Sequence, residues 1–147
     1  MKGKRTIIYK GLGFPITLIE APIRKIAGEE VLDIDMNKLQ ITVLKLLIFK
    51  TTPLTGEQLH FIRKFFGMST TEFAKKFGVT HPTILKWEKN QNLINPTTDC
   101  YIRLWVLQQI QEDDLRRLYA EVTAEMLAAN KAKKESTIEI DQQQLIA

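Results

Sequence analysis

Residues 62–90 read IRKFFGMSTTEFAKKFGVTHPTILKWEKN, and the turn residues in this run fall at intervals that divide it into three short helices. Upstream, Gly56 to Phe66 places Leu59, Ile62 and Phe66 on one helical face and stops at Gly67, a residue free to take the left-handed C-cap conformation. Ser69 followed by Glu72 forms the S-x-x-E pattern of a helix start, with Phe73, Ala74 and Phe77 facing inward until Gly78. Ala74 is small where two helices cross closely, Gly78 makes the tight turn, and Val79 plugs the angle between them. Thr80 then caps a third helix that runs to about Lys89 and tolerates Pro82 in its first turn, where the missing N–H has no helical acceptor.

A 100° wheel over this third helix turns Ile84, Trp87 and Glu88 inward and Pro82, Leu85, Lys86 and Lys89 outward, with His81 and Thr83 near its start. The major groove of DNA admits one helix. Its N-terminal residues meet base edges, a lysine donates to guanine O6 or N7, and an apolar side chain meets a thymine methyl. The expected base-reading set is therefore His81, Pro82, Thr83, Leu85 and Lys86. The phosphate set is Ser69, Thr70 and Thr71, whose hydroxyls and free amides start a helix, together with Thr80 and Lys89.

The pattern of an arginine, Gly, S-x-x-E-x-A, Gly-Val-Thr and I-x-x-W-E in residues 62–90 resembles the Cro and phage-repressor class of helix-turn-helix domain. That resemblance implies an ion pair between Arg63 and Glu88, an approach of Thr70 to the DNA, and reading positions at His81, Pro82 and Lys86. His81 and Pro82 depart from the glutamine or serine common at those positions in the class. A wider likeness runs through GLGFPITLIEAPIRKIAGEEVLDID (11–35), which looks like the small N-terminal sheet module of MqsA-type (YgiT-type) antitoxins, and more loosely HigA-type regulators. It implies a homodimeric autoregulator that also binds a toxin. The paired CxxC motifs that hold zinc in MqsA-type modules are missing, so no metal and no other cofactor is expected.

Outward from this segment, Thr6–Tyr9, Ile16–Lys25 and Glu30–Ile34 read as strands, with Pro15 and Pro22 marking edges or bulges. Asp35 caps a helix over 36–50, ended by Thr51-Thr52-Pro53. A helix over Thr98–Gln109 carries Cys100 as a small buried hydrophobe, and Asp113 opens a longer one. Leu115, Leu118, Tyr119, Val122 and Met126 make one apolar stripe there, which serves intrachain packing or, as palindromic half-sites favour, a twofold dimer contact. Thr137–Asp141 alternates as a short strand does. The expected fold is α+β and mainly α: a small N-terminal antiparallel β module followed by a five-helix Cro-like helix-turn-helix domain and a long C-terminal helix. The expected domains are the sheet module plus a helix (1–52), the helix-turn-helix domain (53–110), and the C-terminal helix with a short tail (111–147).

Composition bounds the alternatives. With 147 residues, 44% apolar and 26% charged, the chain can build one ordinary core. A lone cysteine forms no intrachain bridge, and no segment has the apolar length of a signal or a membrane span, so a cytoplasmic location is expected. The net charge of +4 is concentrated in part over 57–90, where six basic residues face three acidic ones. No P-loop, GxSxG or HExxH motif occurs, and His60 and His81 lack clustered partners, so neither an enzyme nor a metal site is expected. The expected function is a sequence-specific transcriptional repressor, antitoxin-like and autoregulatory, that binds double-stranded DNA as a homodimer. The alternative is a protein-interaction module that neutralises a toxin or another partner, with DNA binding secondary.

Overall fold

In the computed structural model of this chain, the described residues are 2–110, 137–141 and 145. They form two compact units. The first takes residues 1–43 and 136–147, and the second takes 44–135. Helix α1 (Met36–Phe49) is divided between them and starts on Asp35, whose Oδ1 accepts from the amides of Asn37 and Lys38 at 2.9 and 3.3 Å.

The first unit is built on β2 (Ile16–Ile26), which pairs antiparallel with β1 (Lys2–Tyr9) on one side. On its other side β3 (Glu29–Leu32) pairs antiparallel with residues 23–26, and β4 (Ile138–Asp141) pairs parallel with residues 16–19. The β2–β3 loop is two residues long, and both Ala27 and Gly28 have positive φ, which suits the right-handed twist of the strands it joins. Between β1 and β2 the register shifts at Thr6, where Ile19 and Glu20 oppose one residue and Glu20 has φ 52°. This bulge resets the period of two, so that Ile16, Leu18, Ala21 and Ile23 all reach one buried face, joined there by Ile140. Phe14 and the fully covered Leu39 and Val43 belong to the same unit's core.

These strands correct the expected fold class. The sheet is mixed rather than antiparallel, and it is not an N-terminal module, because its fourth strand comes from residues 138–141. The physical reason is that β2 is long enough to offer two successive pairing sites on one side, and β3 fills only one of them. Of the two placements expected for Pro22, an edge or a bulge, the structure gives the second, beside the bulge in the central strand. It stands just past the bulge, between the stretch of β2 paired with β4 and the stretch paired with β3, and its carbonyl accepts from Asp33 N at 2.9 Å. Among the described residues there are five helices, one over 36–49 and four between residues 53 and 110. The expected long C-terminal helix and its stripe Leu115, Leu118, Tyr119, Val122 and Met126 lie outside the described residues.

The second unit continues from α1 into α2 (Gly56–Phe65), α3 (Thr70–Lys76), α4 (His81–Glu88) and α5 (Pro96–Ile110). Thr55 and Gln58 form a reciprocal capping box at α2, and Asn95 caps α5 ahead of Pro96 at its first position. A largely buried pair anchors the approach to α2. Arg103 bonds Asp99 through Nε at 2.7 Å and also donates to the carbonyls of Lys50 and Thr52, while Asp99 Oδ2 accepts from Leu54 N at 3.1 Å. The core holds Leu59, Ile62, Phe73, Ile84 and Ile102, and edge-to-face rings run from Phe66 through Trp105 to Phe77 and Tyr101. Cys100 is exposed, not buried, because α5 turns Ile102 and Val106 inward instead.

Candidate nucleic-acid interface

Each helix of the α2–α3–α4 run ends in the same way. The residue after the C-cap has positive φ (Gly67, 65°; Gly78, 69°; Asn90, 57°), and the next amide reaches back across the last turn. Met68 N donates to Arg63 O at 3.1 Å, Val79 N to Ala74 O at 3.0 Å, and Gln91 N to Lys86 O at 2.9 Å. These are three consecutive Schellman closures. They hold the turns short, so α3 and α4 pack against each other across only Phe77–Thr80, and α2 packs on α4 from behind.

Helix starts are equally defined. Ser69 Oγ accepts from Glu72 N at 3.1 Å, and Thr80 Oγ1 accepts from Thr83 N at 3.3 Å while lying 2.7 Å from Thr83 Oγ1. The Thr83 hydroxyl is therefore engaged by the cap. Along α4, Ile84 and Trp87 are buried, whereas His81, Pro82 and Lys86 are exposed, with Lys89 exposed at its C-cap. Leu85 and Thr83 are half-buried beside them. Ser69 and Thr71 are exposed at the start of α3, and Thr70 is half-buried. Among the described residues, no carboxylate lies within ion-pair distance of Lys86 or Lys89. The outer side of α4 is thus a positively charged face whose donors are not spent internally.

Its inner side is fixed by a buried pair. Arg63 grips Glu88 with two bonds, Nε to Oε2 at 2.7 Å and Nη2 to Oε1 at 2.9 Å, and its Nη1 donates to Met68 O at 3.0 Å. Both side chains are 8% exposed. Burial works against the Glu88 charge, yet the hydrogen bonds from Arg63 and His60 and their charges outweigh it and hold the carboxyl below the ordinary glutamate value. His60 Nδ1 lies 2.8 Å from Glu88 Oε1 and extends the cluster to the surface. The pair braces α2 against the end of α4.

A latch beside it has only a faint trace in the sequence. Asn90 Oδ1 accepts from Gly56 N at 2.8 Å, and its Nδ2 donates to Glu57 Oε1 at 2.7 Å, a bond that lowers the Glu57 pKa. Gly56 is obligatory for this approach, since a Cβ there would stand 2.4 Å from Trp87 O and 2.5 Å from Glu88 O. The clue to Asn90 is an asparagine directly after a helix end, where αL is needed. Nothing in the local sequence marks Gly56, because the atoms that crowd it lie on another helix.

Compared with known protein families, curated proteins and solved structures, the chain matches none. Among the described residues no cluster of three His, Cys, Asp or Glu side chains is placed to hold a metal ion, and no helix is long and apolar enough to cross a membrane.

Proposed function

We propose that this protein is a sequence-specific DNA-binding regulator acting in the cytoplasm, with α4 entering the major groove. The observation that carries this reading is the exposed, positively charged outer face of α4, held by a buried Arg63–Glu88 pair and three successive αL closures. An amphipathic helix in an ordinary bundle has no need of short turns on both sides, of an exposed N-terminal end, and of lysines left without carboxylate partners. In this reading His81, Pro82, Leu85 and Lys86 meet base edges, and Ser69, Thr70, Thr71, Thr80 and Lys89 meet phosphates. Thr83 contributes mainly by fixing the cap, given its bond to Thr80. Binding as a twofold dimer to a palindromic operator, autoregulation and an antitoxin role follow from the same reading as its finer parts.

Fluorescence anisotropy with DNA from immediately upstream of the gene, against scrambled DNA, tests it. Specific binding is expected, steeply weakened by salt as phosphate-bound counterions are displaced. Lys86→Ala is expected to cost about 1–3 kcal/mol at one base position and to relax specificity there. Equal affinity for both DNAs, unaltered by that substitution, overturns the reading.

A further inference from the structure

We infer that the outer face of α5, together with the ends of α2 and α3, is a docking surface for a second protein, and that it takes a segment whose large apolar side chains are flanked by carboxylates. Helical spacing along α5 sets Tyr101, Leu104 and Trp105 on one face, away from the buried Ile102 and Val106. Tyr101 is 57% and Leu104 46% exposed, and Trp105 is half-buried between them and the half-buried Phe65, Phe66 and Phe77. A contiguous apolar patch with a polar rim marks a contact surface.

The rings form one chain. Phe65 meets Phe66 at 5.0 Å between centroids, Phe66 meets Trp105 at 4.6 Å, and Phe77 meets Trp105 and Tyr101 at 5.7 and 5.5 Å, all with interplanar angles between 65° and 83°. The fully buried Phe73 holds Phe77 at 4.7 Å and ties the patch to the core. Large rings already fixed in place lose little freedom when a partner covers them, and such side chains dominate protein contacts. The same geometry argues against stacked bases as the occupant. The rings stand edge to face, and Lys76 Nζ lies over the Trp105 ring at 5.2 Å, so no run of open parallel faces is offered to a single strand.

Charge then selects among protein partners. Lys64 precedes Phe65 at the end of α2, Lys75 and Lys76 precede Phe77 at the end of α3, and all three are exposed. Among the described residues no carboxylate lies within ion-pair distance of them. A second copy presenting the same face across a twofold axis sets lysines against lysines, whereas acidic flanks on a different chain are attracted to all three. The surface is also separate from the outer side of α4. Ser69 stands at the start of α3 and Lys76 in its last turn, about 10 Å further along the axis, so a partner bound here leaves the start of α3 open.

The inference goes beyond DNA binding and does not rest on it. Fluorescence anisotropy of the full chain, without DNA, tests it with a labelled peptide of repeated Glu-Leu-Leu-Glu-Glu-Phe-Glu units, compared with the same repeats carrying lysine for glutamate. The acidic peptide is expected to bind about tenfold more tightly, by a margin that shrinks as salt rises. Its amide chemical-shift changes are expected at residues 65–66, 77 and 101–105 and not at Lys86 or Lys89. Leu104→Ser is expected to weaken the acidic peptide about tenfold by removing apolar area. Lys64→Glu with Lys76→Glu is expected to invert the preference between the peptides, and the milder Lys64→Gln with Lys76→Gln to reduce it; circular dichroism establishes that each variant is folded. No binding of the acidic peptide, equal binding of both peptides, or shift changes on α4 instead overturns the inference. So does oligothymidylate that moves the same amides, or a sedimenting mass that rises with concentration in the wild type and not in Leu104→Ser, since the face then serves a nucleic-acid strand or a second copy.

Discussion

Gly56 and Gly67 lead to opposite accounts of the same substitution. At Gly67 a Cβ meets nothing within 4 Å, so Gly67→Ala pays only for the positive φ, about 1–2 kcal/mol. At Gly56 the obstacle is the backbone of α4 itself, and Gly56→Ala is expected to cost about 2–3 kcal/mol, toward the upper end of overpacking. It is also expected to weaken DNA binding by displacing the end of α4, whereas Gly67→Ala leaves affinity nearly unchanged; urea unfolding and anisotropy of both variants check this. Glu88 adds a pH dependence of definite sign. Its folded pKa lies below the unfolded value, so its stabilisation is present above the ordinary glutamate pKa and is lost as the pH falls through the depressed one. Denaturation midpoints are expected to fall with acid in the wild type, and to do so less steeply in Glu88→Gln.

At the scale of elements, three helix ends share one closure, but only Asn90 closes its helix with a side chain that also reaches another helix. Asn90→Gly keeps the αL backbone and removes the latch, leaving Gly56 N unpaired, at about 1–2 kcal/mol. Asn90→Ala loses the backbone preference as well and is expected to cost about 1 kcal/mol more, a difference readable from paired denaturation curves. How much of these elements can be read in advance depends on where their partners lie. Glycines after Phe66 and Phe77, Ser69 and Thr80 before the next turns, and the alternation at 137–141 announce their roles locally, and helices α2–α4 fall where those signals put them. Asp99 and Arg103 are visible as an i,i+4 pair, but their grip on the carbonyls at 50 and 52 is not, because it joins segments some fifty residues apart. Pro22 signals an edge or a bulge locally, and only the distant strands β1, β3 and β4 decide that it stands beside a bulge in the central strand.

For the molecule as a whole, the two units depend differently on residues 137–147. Removing them takes Ile140 from beside Leu18 and opens one side of β2 over residues 16–19, its pairing with β1 remaining, while no bond within α2–α4 involves them. Amide hydrogen exchange of the truncated chain is expected to show β2 losing protection, with the helices at wild-type rates and DNA affinity retained; loss of protection throughout the helices would mean that the second unit cannot stand without the completed sheet. The same parallel pairing has a consequence for biosynthesis. About 120 residues of translation separate Leu18 from the strand that covers it, roughly 6–25 s at ordinary elongation rates. During that interval the helical segment has time to fold while one half of β2 stays uncovered. A nascent chain of this protein thus keeps one edge of β2 open until residues 138–141 have left the ribosome.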